Sequence, residues 1–134
     1  HHVASILHER VLQQRLQRER ARLTEAQSVA RVGSWETDLA TFDVAWSEQT
    51  HRIFGTDART FQPTHPAFME LVHPDDRAAV DAAFVASTTA PGEHAIEHRV
   101  VRPDGIICQV EERWRVFFDD DGHATRAVGT CQDI

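Results

Sequence analysis

Lysine, asparagine and tyrosine are missing from the 134 residues, so all fourteen basic side chains other than histidine are arginines. The two cysteines, Cys108 and Cys131, are too few for a disulfide framework and too far apart for a Cys-x-x-Cys zinc or redox motif. No apolar run approaches the roughly 18 to 20 residues that span a bilayer, and the N-terminus lacks the apolar stretch of a secretion signal. A cytoplasmic chain making no membrane contact of its own is the expectation. No glycine-rich phosphate loop occurs, and the histidines after residue 30 are scattered among helix, turns and strands. His94 and Glu97 are three apart, but in a strand that spacing puts them on opposite faces. No catalytic set and no metal site is therefore expected.

What is present is enough apolar material for a single core: 41% hydrophobic residues, with three Trp and seven Phe. The charge is uneven. Through Arg31 there are six Arg against three Glu, a net of +3, whereas Val32 to Ile134 carries eight Arg against 18 acids, a net of −10. An acidic globular part repels phosphate, so nucleic acid is not an expected partner.

Ser5 to Ala30 contains no Pro or Gly and is rich in Gln, Arg, Glu, Leu and Ala, which predicts one long helix over residues 1–30. Leu12, Leu16, Leu23 and Ala26 follow an a/d spacing, with Glu19 as a break, and Val3, Leu7 and Val11 are offset from it. A narrow apolar stripe on a charged helix has to be covered, either by the adjoining domain or by a second copy. A parallel coiled coil in a homodimer is the favoured reading. A basic arm ranks last, because Glu9, Glu19 and Glu25 dilute the arginines.

Residues 31–134 read as alternating strands and short helices. Val32 to Leu39 and Phe42 to Trp46 form a hairpin; Ser47 caps a helix that Gly55 stops; Pro66 to Val72 makes another. His73-Pro74-Asp75-Asp76-Arg77 opens an Ala-rich helix with Val80, Ala83, Phe84 and Ser87 on one face. Helix initiation alone accounts for that run, through Pro at the start and acids against the dipole. Ala95 to Val101 and Ile106 to Phe118 are strands joined at Arg102-Pro103-Asp104-Gly105. The second places Ile106, Cys108, Val110, Trp114, Val116 and Phe118 on one face, with Glu112 as the exception. Asp119-Asp120-Asp121-Gly122 is a polar turn without calcium-loop spacing, and Ala124 to Asp133 is the last strand.

Gly33-Ser34-Trp35-Glu36, Trp46-Ser47, Arg52-Ile53-Phe54-Gly55, Val72 to Arg77, Glu97-His98-Arg99-Val100 with Arg102 to Gly105, and Gly129 to Ile134 together resemble the PAS sensory domains of bacterial sensor kinases and diguanylate cyclases. The resemblance covers residues 30 to 134. It implies an α+β fold, a five-stranded antiparallel sheet with short helices on one face, preceded by the long helix. It also implies a non-catalytic sensory module that dimerises through terminal helices and signals to a C-terminal output domain, with Asp133 and Ile134 in the relay. On this reading the chain is a fragment of a longer signalling protein.

The resemblance also bears on cofactors. The flavin photoreceptor type needs a reactive Cys in an Asn-Cys-Arg motif, and the coumarate type needs Tyr; both are disfavoured here. The haem type uses a His on the long helix, which Asp75 to Thr88 lacks, with His73 just outside it. The cofactor is left unknown. A pocket between sheet and helices is expected from Trp46, Ile53, Phe54, Phe68, Phe84, Ile96, Cys108, Val110, Trp114 and Val128. It would take a small apolar or aromatic ligand, or be filled by its own side chains. The alternatives are a small α+β enzyme with a cone-shaped pocket and a PAS domain that binds only proteins.

Overall fold

The computed structural model describes the backbone of residues 2–134 and the side chains of residues 9–134 other than 24, 27 and 28. Two units are distinguished, residues 1–30 and residues 31–134.

The first unit is a single helix, α1 (His2–Ala30), as its lack of Pro and Gly dictates. At 100° per residue Leu12, Leu16, Leu23 and Ala26 fall within a sector about 80° wide. All four are exposed, Leu23 by 65%. Val3 and Leu7 of the offset set lie outside the described side chains.

The second unit runs β1 (Val32–Asp38), β2 (Val44–Trp46), α2 (Glu48–Phe54), α3 (His65–Leu71), a 3-10 turn (Pro74–Asp76), α4 (Arg77–Ser87), β3 (Glu93–Val101), β4 (Ile107–Phe118) and β5 (Ala124–Asp133). The five strands form one antiparallel sheet in the order β2-β1-β5-β4-β3, so the C-terminal strand is central. This is the expected α+β architecture. Local chemistry sets the helix ends. The Ser47 hydroxyl accepts from the Thr50 amide at the start of α2, and Gly55 closes it in the left-handed conformation.

Gly33 decides how closely α2 approaches the sheet. A Cβ there would fall 2.6–2.7 Å from the Thr50 backbone. The close approach lets the Thr50 hydroxyl donate to Ser34 O at 2.9 Å and the Ser34 amide donate to Ser47 Oγ at 3.0 Å.

Two expectations change. Ile106 is not on the inner face of β4; it sits in the turn before it, 54% exposed, with its carbonyl accepting from the Arg102 amide. Asp76 does more than start a helix. Its carboxylate accepts from the Arg99 amide at 2.8 Å, from Arg99 Nε at 3.1 Å and from Arg99 Nη2 at 2.8 Å, clamping the start of α4 onto β3. The Arg99 side chain and amide hold the Asp76 carboxyl well below the ordinary carboxylate range.

Because the Asp76 pKa is depressed in the folded state, the clamp contributes fully above the ordinary value of 3.8 and is lost as pH falls below it. Asp76→Asn is expected to lower Tm at pH 7 by about 4–8 °C, the shift that one net hydrogen bond produces in a domain of this size. The gap from wild type should narrow progressively as pH falls below 3.8 and close only well below pH 3. An equal gap at pH 3 and pH 7 would show that the ionised pair is not its cause.

Candidate functional site

The inner face of the sheet carries two apolar clusters. Ile53, Phe54, Leu71, Val100, Val110 and Cys131 form one; Trp114, Val116 and Ala127 form the other. Between the sheet and helices α3 and α4 lies a cavity of about 40 Å³. Trp35 and Thr37 of β1, Val44 and Trp46 of β2, Phe54 of α2, His65 and Phe68 of α3 and Val80 and Phe84 of α4 line it, with Ile96, Glu112 and Trp114 from β3 and β4.

Glu112 is 4% exposed, and it is the lining residue with a full charge. Its Oε2 accepts from the Trp35 indole Nε1 at 2.8 Å. Its Oε1 lies 3.4 Å from His98 Nε2, and the His98 side chain is fully buried. The Trp35 bond spans the sheet: Trp35 is on β1, Glu112 is on β4, and β5 lies between them. It can form because β5 presents small inward residues, Ala127, Gly129 and Cys131, beneath the indole. A Cβ on Gly129 would come within 2.7 Å of both Trp35 Cζ2 and Trp114 Cβ. Burial, and then the charge of Glu112, push the Cys131 thiol far above its ordinary pKa, so it is a neutral packing group.

The remaining polar groups around the cavity are also specified. The Trp114 indole donates to Ser87 Oγ at 2.9 Å, tying the last turn of α4 to β4. The His65 ring stacks on Phe84 with centroids 4.7 Å apart, and burial lowers its pKa, so at pH 7 it is largely neutral. Trp46 stacks on Phe61 at 5.4 Å and packs on Phe54 at 4.7 Å.

With this geometry in hand, a family model described as the PAS fold matches residues 43–131. The chain belongs to the PAS family. Sensor protein FixL of Bradyrhizobium diazoefficiens is 27% identical over 104 residues, which is 77% of this chain and 20% of that protein. The PAS domain described here thus spans about a fifth of that relative. A sensory box histidine kinase/response regulator from Burkholderia thailandensis matches with a TM-score of 0.72 and 27% identity, covering 84% of each chain. The N-terminal domain of a diguanylate cyclase with PAS/PAC sensor from Marinobacter aquaeolei matches with a TM-score of 0.69 at 18% identity, over 76% of this chain and 94% of that one; this likeness concerns the fold. This PAS domain is similar to those of kinase-type sensor proteins.

Of the ten residues expected around a pocket, Trp46, Phe54, Phe68, Phe84, Ile96 and Trp114 line the PAS cavity. Ile53 and Val110 are instead buried in the first cluster, and Cys108 packs against it with its thiol 3.8 Å from Ile53 O. Burial raises the Cys108 pKa. Val128 is a correction: it belongs to the opposite face, in a shallow surface depression with Arg113, Arg115 and Phe117. The period of the strand, set by Ala127, Gly129 and Cys131, turns it outward.

Sequence reasoning missed Trp35, Thr37, Val44, His65, Val80 and Glu112. Glu112 carried a signal, as the single polar break in an otherwise apolar inward row. The acidic run before Gly122 is a turn in which Asp119 Oδ1 accepts from the Asp121 and His123 amides.

The two neighbours on β5 should respond in opposite ways to substitution. Gly129→Ala drives a methyl against the Arg113 carbonyl, Trp114 Cβ and the Trp35 indole, and is expected to cost about 1–3 kcal/mol and to alter the near-UV Trp spectrum. Val128→Ala should stay within about 0.5 kcal/mol of wild type, as surface changes do. Denaturant unfolding of both variants checks this, and a larger loss for Val128→Ala would reverse the assignment of faces.

Proposed function

We propose that this PAS domain is a non-catalytic module that dimerises through α1, senses occupancy of its cavity, and passes the change to an output domain through its terminal segments. The observation that carries this reading is where the cavity sits relative to the chain ends. Trp35 lines the cavity from β1, the strand that follows α1. Trp35 also pairs in register with Gly129 of β5, the strand that leads out of the domain. The two exits are adjacent: Val32 pairs with Gln132, and the Asp133 amide donates to Arg31 O at 3.2 Å. A displacement of Trp35 would therefore be felt at both ends.

Asp133 has a second contact that fits a relay. Its Oδ2 lies 3.8 Å from Arg102 Nη2, and Arg102 Nε donates to Ile53 O at 2.8 Å. The end of β5 is thus linked through one arginine to the C-terminal turn of α2, whose neighbour Phe54 lines the cavity. Ile134 follows with its amide donating to Gln109 O at 3.0 Å. A fragment of a longer cytoplasmic signalling protein, with an output domain after Ile134, is the context we propose.

Cavity size limits the ligand. About 40 Å³ corresponds to about three water-sized groups, whereas drug-sized and cofactor sites run to about 300–1,000 Å³. A flavin or haem does not fit this arrangement. A compound of a few heavy atoms does, and a small apolar or aromatic molecule would have to displace Val80 and Phe84 on α4.

For dimerisation, the exposed sector of Leu12, Leu16, Leu23 and Ala26 supports a parallel pairing of two α1 helices. Light scattering of the full chain should give twice the mass of one chain, and Leu16→Glu with Leu23→Glu should give one chain mass with the circular dichroism of the sheet unchanged. A dimer that survives both charges would place the interface elsewhere.

A further inference from the structure

The shape and chemistry of the cavity narrow its ligand further, and the following rests on the proposal that the cavity is a ligand site. Six aromatic rings, those of Trp35, Trp46, Phe54, Phe68, Phe84 and Trp114, line it. Ring faces carry negative quadrupole potential and attract a cation brought within about 6 Å. One carboxylate, Glu112, stands among them, and neither Arg nor Lys lines the cavity. The one imidazole in the lining, His65, has its pKa lowered by burial and adds little positive charge at pH 7. An anion entering here would meet aromatic faces and a carboxylate, with no cationic group to receive it.

Glu112 also keeps acceptor capacity. A carboxylate offers about four lone-pair directions. Trp35 Nε1 takes one at 2.8 Å, the neutral Cys131 thiol stands against the carboxylate as a weak donor, and His98 Nε2 lies at 3.4 Å, well beyond the about 2.7–2.9 Å of a tight charge-assisted bond. His98 is not among the lining residues, so it does not occupy the cavity side of the carboxylate. Thr37, only 3% exposed, adds a hydroxyl-bearing side chain to the same lining. Outside the cavity, the net charge of −10 over residues 32–134, eight Arg against 18 acids, raises the local concentration of cations.

We infer that the cavity takes a small organic cation, a primary alkylammonium of about four heavy atoms, with its ammonium group on Glu112 and its alkyl part among the aromatic rings. Primary ammonium suits the site better than a quaternary one. It has three N–H donors for the free acceptor directions of Glu112, and its head is compact enough for the volume.

The test compares three probes of one size and shape but different charge: propylammonium, propan-1-ol and propionate, titrated at pH 7 in about 150 mM salt to suppress attraction by the acidic surface. Binding to the full chain is followed by the three Trp indole N–H resonances. The expected result is propylammonium binding at least tenfold tighter than propanol, with propionate producing no shift. Glu112→Gln preserves an acceptor for Trp35, and should weaken propylammonium at least tenfold while leaving propanol within about twofold. If propanol or propionate matches propylammonium in the wild-type protein, the cation assignment is overturned while the cavity stands as a ligand site. Propylammonium affinity in a folded Glu112→Gln variant within about twofold of wild type overturns the assignment as well. If no probe moves any indole resonance, the ligand-site reading fails and the inference fails with it.

Discussion

A carboxylate withdrawn from water into an apolar interior costs several kcal/mol unless its lone pairs find donors. Glu112 meets that requirement by reaching over the central strand to the indole of Trp35. Much of the inner face is arranged around this bond. β5 presents Ala127, Gly129 and Cys131, small enough for the Trp35 indole to lie over them, and Trp35 and Trp114 then pack with centroids 6.4 Å apart. The same indole forms one wall of the cavity, and Glu112 its charged point. Replacing either partner with an apolar residue would leave the other polar group buried without its bond, so the pair ties stability to the geometry of the site.

The helices close the cavity through polar anchors that hold them at fixed distances from the sheet. Thr50 holds α2 to β1, Ser87 receives the indole of Trp114 at the end of α4, and Asp76 fastens the start of α4 to Arg99. Between its two anchors α4 contributes Val80 and Phe84, which line the cavity without a polar tether of their own.

Most of the fold was legible because its signals are local. Period-two alternation marked β3, β4 and β5, and Ser47, Gly55 and the Pro103–Gly105 turn marked boundaries. The site was less legible because its decisive bonds are long-range. Glu112 stood out as a break in pattern, but Trp35 lies 77 residues away and nothing local links them. Asp76 read as a helix-start residue because its actual partner, Arg99, is 23 residues away. Val128 was assigned inward on hydrophobicity. The real inward residues of β5 are small because aromatic rings lie over them, so the bulkier apolar side chain is the outward one.

The proposed coupling of the cavity to the strands that lead to both chain ends rests on the Trp35–Glu112 bond. Solvent exchange of the Trp35 indole N–H, followed by NMR together with the amides of Val32, Gln132 and Asp133, measures this directly. A strongly protected indole N–H is expected in the wild-type protein, and in Trp35→Phe a rise in amide exchange at those terminal residues larger than at β3 residues far from β1. An unprotected Trp35 indole, or terminal amides that exchange no faster in Trp35→Phe, would contradict it.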